Sequence, residues 1–133
     1  MSAEAITHAV LGQAAGLTAL VGPRVFPEML PDNQPAPALV HSLISSIDVG
    51  VIGADDYAGT QRARIALDAY AEDLAAAKAV FLEGRKALLF QRGAVAGVEL
   101  VAVTPAGEGP NGWDPDRRLF VCSGQVFVIW REN

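Results

Sequence analysis

The chain has 133 residues, of which 51% are hydrophobic, with a single cysteine and a formal charge of −5. That length fits one domain, residues 1–133, with one sizeable core. The acidic balance argues against general binding to nucleic-acid phosphates and against docking on an anionic membrane. Cys122 has no partner for an intrachain disulfide, a thiolate zinc site within one chain is excluded, and a reducing compartment is expected. No apolar run approaches the ~20 residues that span a bilayer. Met1 to Leu17 lacks a basic start and is interrupted by Glu4, His8 and Gln13, so it does not read as a signal peptide.

Ser2 is placed as an N-cap, and Ala3, Ile6, Val10, Ala14 and Leu17 recur at helical spacing. The spacing predicts a first helix from about Ala3 to Gly16, with one further turn through Leu20. Gly12 and Gly16 weaken it, and Gly22-Pro23 ends the region. Prolines at 23, 27, 31, 35 and 37 then impose an extended path along the surface. Ala38 to Ser46 reads as a first strand, and Ile47 to Gly59, with its glycines and aspartates, as a long loop carrying apolar Val49, Val51 and Ile52.

Thr60 to Tyr70 alternates strictly, with Ala63, Ile65, Leu67 and Ala69 on one face and Arg62, Arg64, Asp68 and Tyr70 on the other. A second helix opens at Glu72 and Asp73 and runs to about Phe90 on a stripe of Leu74, Ala77, Phe81, Leu88 and Leu89. Val98 to Thr104 is a third strand, Pro105 to Asp116 a turn-rich loop holding Trp113, and Arg117 to Trp130 a last strand with a bulge expected at Gly124. The order α-β-β-α-β-β implies an α+β domain: a mainly antiparallel four-stranded sheet with two helices on one face.

The last strand is apolar on both parities. Phe120, Cys122, Val126, Val128 and Trp130 take one, and Leu119, Val121, Phe127 and Ile129 the other. Two helices cover one face of a sheet, so the other needs folded-back loops or a neighbouring subunit.

Sequence motifs for chemistry are missing. There is no Walker loop, no GxGxxG, no GxSxG and no HExxH. His8 and His41 read as structural or solvated histidines, and Ser42 beside His41 points to the opposite side of its strand. Asp55 and Asp56 lack the spaced oxygen ligands of a calcium loop. No cofactor, metal or catalytic residue is expected. Arg62, Arg64, Arg117 and Arg118 can share a face or rim that meets a phosphate backbone or an acidic partner surface, with a solvated polar face as the plainer reading, and Trp113 is a candidate interface anchor.

The stretch Leu17 to Val40, LTALVGPRVFPEMLPDNQPAPALV, resembles a signature of small tail-completion proteins of long-tailed bacteriophages and prophages. The matching residues are Leu17, Leu20, Val21, Gly22, Arg24, Val25, Phe26 and Pro27. The resemblance continues through Arg62 to Ala71, leading into an alanine-rich helix, and through Asp114 to Phe120. The loop Ile47 to Gly59 is longer than that pattern has.

The resemblance implies a tail terminator: a subunit of a ring, commonly a hexamer, that stops growth of the tail tube and presents a surface to the head connector. Its partners would be copies of itself, the tail tube protein and the head connector protein. Sequence-specific nucleic acid and membrane are not among them. The protein would assemble in the bacterial cytoplasm and end in the tail or neck of the virion. Interface residues expected from the residues themselves, as apolar or arginine positions in loops and on the polar strand face, are Val49, Val51, Ile52, Trp113, Arg62 and Arg64. Another neck adaptor is the nearest alternative. An enzymatic or small-molecule-binding domain using His8, His41 and Asp68 is the alternative of a different class.

Overall fold

A computed structural model describes residues 2–48 and 60–131. The elements in chain order are α1 (Ala3–Gly12), α2 (Ala15–Val21), β1 (Val25–Pro27), β2 (Ala38–Asp48), β3 (Thr60–Ala71), α3 (Leu74–Leu88), β4 (Gly93–Val95), β5 (Val98–Glu108), β6 (Gly112–Asp114) and β7 (Leu119–Arg131). The fold is α+β, as expected, but the described residues form three helices and a seven-stranded sheet instead of two and four. The sheet runs β1-β2-β3-β7-β5-β4, and β6 pairs with β7. Among the described residues only the β1–β2 pair is parallel.

The three extra strands are three residues each, too short for a periodicity to show. The first helix divides because Gln13 and Ala14 leave the helical path between two glycine-weakened stretches. Both pieces still bury one stripe: Ile6, Thr7 and Leu11 on α1, then Leu17 and Val21 on α2. Ser2 Oγ accepts from the Ala5 N–H at 3.3 Å, as its capping position requires. On α3, Asp73 is the cap, accepting from the Ala76 N–H at 2.7 Å.

α3 lies across β3 and β7, and α1 packs near β1 and β2, so the helices share one face of the sheet. The main core between them holds Leu17, Leu39, Ile65, Leu67, Phe81, Val126, Val128 and Trp130. Two glycines set its thickness. A Cβ on Gly84 would sit 2.9 Å from Leu39 Cδ2, and one on Gly124 would sit 2.6 Å from Phe81 Cε1. Gly124 is therefore the seat of the Phe81 ring and not a bulge: the β3–β7 register is unbroken from Thr60↔Arg131 to Ala71↔Phe120. The register shifts fall on β5, between Leu100 and Ala102 and between Pro105 and Glu108, and on β2, between Leu43 and Ser45.

The segment Pro105 to Asp116 is a loop only in part, at residues 109–111 and in the turn from 115. β5 continues through Glu108, and Gly112 to Asp114 pair with Val121 to Leu119. Pro105 is tolerated because the outer side of β5 has strand β4 only as far as Leu100, so no ladder needs its missing N–H.

Candidate assembly surfaces

The helix-free face of the sheet divides into two parts. At the end where β3 finishes, the proline-rich segment folds back over it. Leu30, Ala38, Val40 and Leu119 form a second small core there, with Phe26, Ala36 and Tyr70 packed against it. Arg117 fastens this flap: its guanidinium donates to Leu30 O at 2.5 Å and Pro31 O at 3.2 Å, and pairs with Asp114 at 3.6 Å and Asp32 at 3.9 Å. Burial, then the nearby Asp68 and Asp114 carboxylates, raise the Tyr70 pKa above its ordinary value. Folded-back chain thus answers half of the requirement posed by the doubly apolar last strand.

At the other end the face lies open among the described residues. Arg62 and Arg64 both stack on the Phe127 ring, 4.8 and 4.9 Å from its centroid. Cross-strand register builds the group, since Arg64 pairs with Phe127, and Arg62 with both Ile129 and the exposed Ile47. Of the four arginines expected to share a face, Arg62 and Arg64 do. Arg117 does not join them, being occupied with the flap.

Trp113 lies on β6 opposite Phe120, its ring edge-on at 4.8 Å, and is 50% exposed. Phe120 pairs with Ala71, which belongs to the helix-side core, so Trp113 stands on the opposite face from Arg62 and Arg64. Its row is nine residues along β3 from Arg62, about 30 Å at strand rise. Trp113 and the arginines are separate surfaces. Val49, Val51 and Ile52 lie outside the described residues, as do Asp55 and Asp56.

Helix–strand packing brings His8 and His41 together, which the sequence spacing did not reveal. His8 Nδ1 lies 3.0 Å from His41 Nε2, and His41 is fully buried. Burial, and then His8, lower the His41 pKa to about 4, so it is neutral at pH 7. No nucleophile joins the pair. Ser42 is on the other side of β2, and Asp68 accepts from Ser123 Oγ at 2.6 Å on the helix-free face. Burial raises the Cys122 thiol pKa, so it stays protonated. Among the described residues no group of three or more His, Cys, Asp or Glu is arranged to hold a metal ion. No described helix is long and apolar enough to cross a membrane.

Sequence reasoning missed the outward position of Phe90, which is 76% exposed. The signal was the run Leu88-Leu89-Phe90, since three successive residues at a helix end cannot all face one core.

The fold resembles a chain from the virion of a native gene transfer agent (GTA) particle, with a TM-score of 0.71 and 19% identity. The likeness covers 98% of this chain and 95% of that one, and at such identity it concerns the fold alone. None of the curated proteins compared matches the sequence. The sequence family described as tail completion protein gp17 matches residues 4–126. Because that match runs from α1 into the second half of β7, taking in the flap, the arginine face and Trp113, the chain belongs to the tail completion protein gp17 family.

Proposed function

We propose that this chain is a non-catalytic subunit of a ring, a hexamer by the family resemblance, that ends the tail tube and joins it to the head connector. Family membership over residues 4–126 carries the reading. Two features of the molecule support it. The open half of the sheet face offers an aromatic–arginine platform, and Trp113 presents a second, separate anchor. A subunit that touches a neighbour on each side and a tube beneath needs more than one such surface. In this reading the single domain spans residues 1–133, assembles in the bacterial cytoplasm, and takes no cofactor. Val49, Val51, Ile52, Trp113, Arg62 and Arg64 belong to its interfaces.

The test is production of particles with and without this chain, followed by electron microscopy of the tails. Without it, tubes of irregular length that carry no heads are expected. Tails of normal length joined to heads would overturn the proposal. Density at the head side of the neck, away from the tube end, would favour a neck adaptor instead.

A further inference from the structure

Phe90, 76% exposed, and Met29, 67% exposed, are the two most exposed large hydrophobic side chains among the described residues. Both are held out by the same local device. Phe90 has φ 64°, and Glu28, immediately before Met29, has φ 68°. A residue with a Cβ avoids that conformation unless the surroundings enforce it. Here the enforcement is a backbone bond to the sheet. The Phe90 N–H donates to Val103 O at 3.0 Å, and the Glu28 N–H donates to His41 O at 2.8 Å.

Val103 is on β5 and His41 on β2, which flank the β3–β7 pair on opposite sides. The two projecting side chains therefore mark opposite edges of one sheet. Their surroundings carry opposite charge. Phe90 borders shallow grooves lined by Leu82, Lys86 and Arg92. Met29 shares a depression with five carboxylates, Glu28, Asp32, Asp68, Asp114 and Asp116, against the single cation Arg117, so that edge stays net acidic.

We infer that the Phe90 edge of one copy docks on the Met29 edge of the next. The thioether meets the aromatic ring while Lys86 and Arg92 face Glu28, Asp32 and Asp116. A partner of another kind would need only one of these edges. A second copy of this chain uses both, because the matching surface sits on the same molecule. The contact is head-to-tail, so each copy joins two neighbours and the series closes into a ring when the rotation closes. This rests on the ring reading above and supplies its lateral interface.

Two charge-reversed proteins test it: Lys86→Glu with Arg92→Glu, and Glu28→Lys with Asp116→Lys. All four side chains are exposed, so folding should survive and is checked by thermal melting. Sedimentation equilibrium is run at about 1 mM, the effective concentration that neighbours on a shared tube reach. Wild type should associate, and each variant alone should associate about tenfold more weakly, since like charges then face each other. An equimolar mixture should recover association, because the reversed edges complement one another. Phe90→Ser should lose association by itself and, mixed with wild type, act only as a chain end, its intact Met29 edge accepting the wild-type Phe90 edge. Equal association by all these proteins overturns this contact and leaves ring formation standing. A wild type that stays monomeric at that concentration overturns the contact too, and the tail-length assay then judges the ring by itself.

Discussion

Acid should weaken this protein through one buried imidazole. His41 is fully buried beneath α1, with Nε2 facing His8 Nδ1 at 3.0 Å and Nδ1 without a hydrogen-bond partner among the described residues. Its pKa is lowered from 6.5 to about 4 in the folded state, by burial first and by His8 second. Above pH 6.5 the group is neutral in both folded and unfolded chains and contributes no pH dependence. Between 6.5 and about 4 the unfolded chain takes up a proton that the folded chain refuses, so stability falls as pH falls. Below about 4 both states are protonated and this loss is complete. The span of about 2.5 units, at about 1.4 kcal/mol each, gives a loss of ~3 kcal/mol. Carboxylates titrate near the lower end of that window, so the informative quantity is a difference. Urea unfolding of wild type and His41→Leu, each at pH 7 and pH 4.5, should show wild type losing ~2 kcal/mol more than the variant. Equal losses in the two proteins would refute the reasoning and place the acid sensitivity elsewhere.

Two further substitutions separate folding from assembly. Gly124→Ala drives a methyl group into the Phe81 ring and to within 3.1 Å of Gly107 O; urea unfolding should show ~1–3 kcal/mol of destabilisation, as overpacking costs elsewhere. An unchanged midpoint would mean that α3 can ride up off the sheet. Trp113→Ala removes one edge-on contact with Phe120 and leaves the main core untouched. The monomer should keep its fold by near-ultraviolet and far-ultraviolet dichroism, while tail completion is impaired. Normal tail completion would remove Trp113 from the interfaces.

The long strands were legible because one face of each is buried. The strict alternation of Thr60 to Tyr70 reappears as Ala63, Ile65, Leu67 and Ala69 beneath α3. The same alternation placed Arg62 and Arg64 on one surface. Their platform was not legible, since Phe127 arrives by cross-strand register from sixty-odd residues away. Pro105 and its glycines masked the continuation of β5, because turn chemistry and an edge strand with free outer positions accept the same residues. The break at Gln13 was hidden by α1 and α2 feeding one apolar stripe into one core. Proximity of His8 to His41 depends on where a helix settles on a sheet, which no local spacing records.

The exposed anchors also set how strongly the free subunit can associate. One lateral contact of the proposed kind buries one Phe90 and one Met29 side chain. Each is worth ~1.5–3 kcal/mol when fully buried, so the pair supplies ~3–6 kcal/mol. Exposed ion pairs around them add ~0–1 kcal/mol each. Against this stands the loss of translational and rotational freedom, about 4–15 kcal/mol at the 1 M reference concentration. At the favourable end of these ranges ~4 kcal/mol survives, a dissociation constant near 1 mM, so the free protein should be a monomer at micromolar concentration. Seating subunits side by side on a tube removes most of that entropic opposition by raising the effective concentration to the millimolar range. The same weak contact, repeated around the circle, is then sufficient. Sedimentation velocity at low micromolar concentration should accordingly show one species at the 13.9 kDa chain mass. A hexamer persisting at nanomolar concentration would require a far larger interface than Phe90 and Met29 provide, and would refute assembly on the tube.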